Sequence, residues 1–155
     1  MKGLIILKLD KTDRQILEHL IEDGRISYVD LGKHVGLSRV AVRDRVNQLI
    51  KNGVIEKFTA IINSEQVGKS VSAFFEVDVE PMQLVTIAKS LADNESVASI
   101  YQMTGPSTLH MHVLVNDFIE LEHFINEELY SFEGIMRVES HVLLKRFKSR
   151  VGLKL

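Results

Sequence analysis

The sequence contains no cysteine. Disulfides and thiolate metal sites are therefore excluded, and a reducing compartment costs the fold nothing. Long hydrophobic runs are missing too. The opening stretch, MKGLIILKLD, holds only the short apolar run from Leu4 to Leu7. That is too brief for a signal-peptide core, and no later segment approaches the ~20 apolar residues of a membrane span. On this reading the protein is cytoplasmic. Low-complexity segments and linkers rich in Pro, Gly and Ser are also lacking. No nucleophile elbow, phosphate loop or carboxylate pair stands out, so neither an enzyme nor a cofactor is expected.

What remains is ordinary in bulk. The chain has 155 residues, 45% apolar and 26% charged, enough for one medium domain or two small ones, each with its own core. The net charge of −2 hides an asymmetry. Residues 1–60 carry 11 Lys and Arg against 8 Asp and Glu, whereas residues 61–155 carry 8 against 13. Within the first part, residues 31–60 have 6 basic against 2 acidic side chains. A local basic patch on an acidic chain points to a polyanionic partner for that patch alone.

The N-terminal part reads as three helices. Residues 10–23 repeat Ile16, Leu17, Leu20 and Ile21 at helical spacing after a cap at Asp10 or Thr12. Ser27 caps a second, short helix with Leu31 and Val35 inward, and Asp30 nearly completes a capping box. Gly36 ends it, and Gly32 is small, as a close helix crossing requires. Ser38 caps a third helix reaching about Asn52, with Val42, Val46 and Leu49 on one face. Two helices joined by a tight Gly-containing turn make a helix-turn-helix. The following GVIEKFTAIIN alternates weakly and reads as one or two short strands, where a winged variant puts its wing.

DNA reading needs donors on the outer face of a rigid helix and positive charge near phosphates. Arg39, Arg43 and Asn47 recur at i, i+4 and i+8 and suit the major groove. Ser38 and the helix N-terminus can meet a phosphate. Arg45, Lys51 and Lys57 suit backbone contacts.

The second half has a different rhythm. SAFFEVDVE is strand-like, with Ala73, Phe75, Val77 and Val79 on one side. It is followed by a helix, two strands around the turn GPST, a helix capped by Asp117 and buried through Phe118, Leu121, Phe124, Ile125 and Leu129, and a last strand. The order β-α-β-β-α-β is the ferredoxin-like arrangement, an antiparallel sheet with both helices on one face. The fold class is thus α+β: a winged helix-turn-helix at 1–62, a linker at 63–70, and a ferredoxin-like domain at 71–155. The sheet's other face, expected to show Phe74, Ile100 and Leu143 among polar residues, needs cover. A second copy of the sheet would supply it, which implies a homodimer. His110, His112 and His141 share this sheet. They read as interface residues rather than metal ligands, although a small metalloenzyme remains a rival reading. The basic tail KRFKSRVGLKL either extends the DNA path or packs on a neighbour.

Taken together, LDxxDRxIL, DGR, DLGxxVGLS and VxxRVxxLxxxGVI resemble the leucine-responsive regulatory protein/asparagine-synthetase regulator (Lrp/AsnC) family. The resemblance covers nearly the whole chain. It implies a DNA-binding regulator of amino-acid metabolism that dimerises through its sheets, assembles into octamers or similar rings, and binds a small amino-acid-like effector between dimers. It implies effector residues at Thr104, Gly105 and Thr108, with Ser140 and His141 on the last strand. The family's loop usually reads Gly-x-x-Asp; here Thr108 follows Gly105, so an oxygen is kept and the charge is lost. Two outcomes stay open: an effector site of altered chemistry, or an effector-independent DNA-architectural protein of the same fold.

Overall fold

A computed structural model describes residues 8–105 and 107–147. Pro106 and the tail beyond Phe147 lie outside the described residues, as does the run from Leu4 to Leu7. The described chain divides into two compact units, residues 8–61 and 62–147.

The first unit holds α1 (Lys11–Glu22), α2 (Tyr28–Val35) and α3 (Arg39–Lys51). Each starts at a side-chain cap. Asp10 accepts from the Asp13 amide at 2.7 Å, and the Asp13 carboxylate returns the bond to the Asp10 amide, closing a full capping box. Ser27 and Ser38 accept from the amides of Asp30 and Ala41. Ile16, Leu17, Leu31, Val42, Val46 and Leu49 form one buried cluster. Ile21, expected in the apolar stripe, is instead exposed. It lies a full turn beyond the stripe that Ile16 and Leu17 bury, near the helix end.

Gly36 ends α2 with φ +70°, a left-handed cap that an L side chain disfavours. Gly32 is small for a more local reason than helix crossing. A Cβ there would lie 2.5 Å from the carbonyl oxygen of Leu37 in the turn itself. The turn doubles back onto α2, and the Leu37 amide donates to the Gly32 carbonyl at 2.9 Å.

The expected wing is not formed. Residues 54–63 contain no strand, and Phe58, Ile61 and Ile62 are exposed. A lone strand needs a partner for its amides and carbonyls, and none among the described residues pairs with this segment. A single 3₁₀ turn, Glu65–Val67, lies between it and the sheet.

The second unit is β1 (Val71–Val79), α4 (Leu84–Ala92), β2 (Val97–Gln102), β3 (Thr108–Val115), α5 (Phe118–His123) and β4 (Ile135–Val142). The strand order is β2-β3-β1-β4, all pairs antiparallel. Alternation along β1 and β3 sends Ala73, Phe75, Val77, Val79, Leu109, Met111, Val113 and Val115 to the helix-covered face. There they meet Leu84, Ile87 and Leu91 of α4, and Leu121, Phe124 and Leu129. Past His123 the helix widens into a π-turn over Phe124–Leu129. Phe118, expected inside, is 64% exposed; it sits in the first turn of α5, next to the Asp117 cap. Ile100 also departs from expectation. It pairs with Met111 and packs on the core, because β2 lies in register with the inward residues of β3. Phe74 does lie on the open face, beside His112 and His141 in the pairing register.

Candidate functional site

The helix-turn-helix surface is built by α3. Burying Val42, Val46 and Leu49 fixes the helix's rotation and turns Arg39, Val40, Arg43, Asp44 and Asn47 outward. Arg39, Arg43 and Asn47 are all exposed, along one side of the helix. Arg43 is engaged with its neighbour: Nε and Nη2 donate to Asp44 Oδ1 at 3.1 and 2.9 Å. Ser38 Oγ accepts from Ala41 at the N-terminus of α3, which leaves its hydroxyl proton to give. Lys51 and Lys57 are exposed, Lys51 in the last turn and Lys57 on the segment that follows.

Arg45 departs from its expected role at a phosphate. Its Nη1 donates to Asp10 Oδ2 and Asp13 Oδ1, both at 2.7 Å. It therefore clasps α3 to the capped end of α1. The two carboxylates hold the guanidinium above its already high range. The Asp13 amide, then Arg45, hold the Asp10 carboxyl below the usual carboxylate range. Spacing along α3 could not reveal this, because the partners lie more than thirty positions away. The one signal was the acidic first turn of α1.

On the sheet unit, Thr104 and Gly105 lie exposed in the β2–β3 turn, Gly105 with φ +128°. The turn is tied at both ends. The Met103 amide donates to the Thr108 carbonyl, and the Val79 amide to the Ser107 carbonyl, both at 3.0 Å. Ser107 itself adopts φ +36°, the left-handed region rare for a non-glycine residue. Thr108 starts β3, and its Oγ1 donates to Asp78 Oδ1 at 2.6 Å.

Ser140 and His141 are not brought to this turn within the chain. Ser140 pairs with Phe75 and so points to the helix side, whereas His141 pairs with Phe74 on the open face. Asp78, opposite Thr108, is four residues from Phe74, or ~13 Å along β1. The three histidines share the open face. His112 Nε2 lies 2.7 Å from Ser72 Oγ, with its ring stacked on Phe74 at 4.4 Å. His110 lies 3.8 Å from Glu76. Burial, and secondarily the charge of Arg146, hold His112 below the ordinary histidine range. Sequence reasoning missed Asp78, Arg137 and Glu139, which surround Thr108's end of the sheet. Only strand register reveals them.

A capped tri-helical unit with an exposed, basic second helix of the turn, followed by a four-stranded ferredoxin-like unit, defines a helix-turn-helix regulator. Comparison with known proteins makes this specific. Residues 9–50 match the AsnC-type helix-turn-helix domain, and residues 72–153 match the Lrp/AsnC ligand binding domain. An HTH-type transcriptional regulator of Pyrococcus horikoshii is 39% identical over 137 residues, covering 88% of this chain and 87% of that protein. LrpA of the same organism is 30% identical, covering 90% and 99%. Among solved structures, a transcriptional regulator of Neisseria meningitidis in complex with L-Met superposes with a TM-score of 0.89. It is 29% identical and covers 94% of this chain and 96% of that one. The leucine response regulatory protein LrpA of Mycobacterium tuberculosis gives 0.80 at 32% identity, covering 94% and 99%. The chain belongs to the Lrp/AsnC family of transcriptional regulators. Among the described residues no helix is long and apolar enough to cross a membrane.

Proposed function

We propose that this regulator reads double-stranded DNA through Arg39, Arg43 and Asn47 in the major groove, with Ser38, Lys51 and Lys57 on phosphates, and that an amino acid modulates it through the second unit. Residues 1–62 serve as the DNA-binding domain, 63–70 as linker, and 71–155 as the effector and assembly domain. The observation that carries the DNA reading is the fixed rotation of α3: its apolar face is locked by Val42, Val46 and Leu49, so its donors face outward together. Two copies paired through their open sheet faces present two such helices, suited to half-sites about one helical turn, ~34 Å, apart or a multiple of it. Support for the effector comes from the ligand-binding family domain and from the L-Met complex of the Neisseria meningitidis regulator. Thr108 in place of the usual carboxylate keeps the effector-independent, architectural reading as its rival.

Light scattering of the pure protein, alone and with each common amino acid, tests the proposal. A mass that shifts with one amino acid supports effector-coupled assembly into a higher homo-oligomer such as an octamer. A mass fixed across the panel, together with no heat of binding, favours the architectural reading. Binding of operator fragments across a salt series tests the DNA arm: specific binding should fall steeply with salt.

A further inference from the structure

The outward face of α3 carries one side chain that the DNA contacts above leave unused. Val40 is 56% exposed. It is the second residue of the helix, two positions after the Ser38 cap. At about 100° per residue it stands opposite the buried stripe of Val42, Val46 and Leu49, and so at the centre of the outward face. Arg43 and Asp44 follow one turn on, held to each other by the bonds from Arg43 Nε and Nη2 to Asp44 Oδ1. Asn47 follows a second turn on. Folding does not call for a valine here. Its β-branched side chain is a weaker helix former than alanine or a long polar residue, and it takes no part in the cluster that packs the helical unit. An isolated exposed aliphatic is ordinary on a surface. One flanked by Arg39, Arg43 and Asn47, at the N-terminal end of the second helix of the turn, stands where base edges come. Ile50, the other exposed large aliphatic of α3, lies in the last turn instead.

We infer that Val40 determines sequence specificity by packing its methyl groups on the 5-methyl group of a thymine in the major groove, an inference that rests on the DNA reading proposed above. Arginine and asparagine read guanine and adenine through hydrogen bonds, and neither gains from a methyl group. The thymine methyl is the apolar mark on the major-groove edge, and an apolar side chain is what reads it. Val40 supplies that reader among the donors. A cytosine at the same place would present an amino donor to a side chain that has no acceptor for it. The spacing also fixes where the thymine lies. Val40 and Arg43 are three residues apart, ~4.5 Å along the helix axis, against ~3.4 Å between successive bases of one strand. The thymine is therefore within two base pairs of the base that Arg43 reads.

The test starts from a duplex that the intact chain selects from a random-sequence library. Each thymine in it is replaced, one at a time, by deoxyuridine, which removes the methyl and keeps the pairing. Affinity is read by fluorescence anisotropy. For the unaltered chain, one replacement should weaken binding about fourfold, the worth of one buried methyl. That thymine should lie within two base pairs of the position at which Arg43→Ala relaxes the sequence preference. Val40→Ala should bind thymine and deoxyuridine alike there. It should keep the helix, since alanine is the better helix former at an exposed site. Lys51→Ala should weaken both duplexes by the same factor and preserve the difference between them. A selected duplex with no deoxyuridine-sensitive thymine near the Arg43 position would overturn the inference and leave DNA reading intact. So would a sensitive thymine that stays equally sensitive in Val40→Ala, or a difference that Lys51→Ala also erases. If no duplex is enriched, the DNA reading itself falls and takes this inference with it.

Discussion

In the helical unit, every side chain proposed to read bases lies on one helix, between Arg39 and Asn47. In the sheet unit, the groups around Thr108 come from three strands, and Asp78 and Thr108 are 30 residues apart. The first arrangement depends on the rotation of one rod. The second depends on register among strands, and a slip of one residue would send Asp78 or Thr108 to the opposite face. The geometry of the first set of groups is therefore local to one helix, and that of the second is not.

The largest expected effect tests whether the two units stand apart energetically. Phe75→Ala removes a ring that is 1% exposed and packs on Phe124. It should cost about 3–5 kcal/mol. Amide hydrogen exchange should show protection falling across β1 to β4 and holding in α1 to α3; equal loss in both would make the chain one cooperative unit. Next in size is Gly32→Ala. The added methyl would collide with backbone at Leu37, and overpacking of this kind costs about 1–3 kcal/mol. Helical content should survive while operator binding falls, because the turn that aims α3 is displaced. Unaltered operator affinity would show that the turn accommodates a side chain.

A comparison within α3 comes third. Arg43→Ala should weaken specific operator binding by about 1–3 kcal/mol. Lys51→Ala should weaken all sequences alike and flatten the salt slope by roughly one. Arg45→Ala should do neither, and instead lower the stability of the helical unit by about 1 kcal/mol, the scale of a partly exposed ion pair. A salt slope changed by Arg45→Ala would return that residue to the DNA contact set.

The smallest effect is a pH dependence in the sheet unit. His112 sits below the ordinary histidine value near 6.5 because it is buried against Ser72 and Phe74 and feels the positive charge of Arg146. The folded chain keeps it neutral where an unfolded chain would already bind a proton. Its contribution to stability is therefore complete above about 6.5 and is lost as pH falls through the lower folded value. The melting temperature should drop between pH 7.5 and 5, and His112→Gln should flatten that slope. Identical slopes in both proteins would assign the dependence to other groups.

Legibility in the sequence followed the same division. Caps at Asp10, Ser27 and Ser38, the stop at Gly36 and the buried face of α3 were all readable, since each depends on residues within one or two turns. The βαββαβ order was readable because alternation in β1 and β3 is strict. What escaped was long-range. The Arg45 clasp joins residues 32 and 35 positions apart. Ile100 was misplaced because β2 has no clean alternation of its own, and its face is set by β3. The wing was expected from weak alternation along GVIEKFTAIIN, but alternation cannot supply a pairing partner. Asp78 reads in sequence as one more polar residue of an alternating strand; only the ladder shows that it faces Thr108 and Arg137.

The clasp at Arg45 also bears on how this surface can change over generations. One nitrogen is shared by two carboxylates, so losing either aspartate leaves the guanidinium a partner. Loss of the arginine leaves each aspartate only its backbone bond within the capping box. Loss of either aspartate breaks that box as well as half of the clasp, so the start of α1 and its hold on α3 change together.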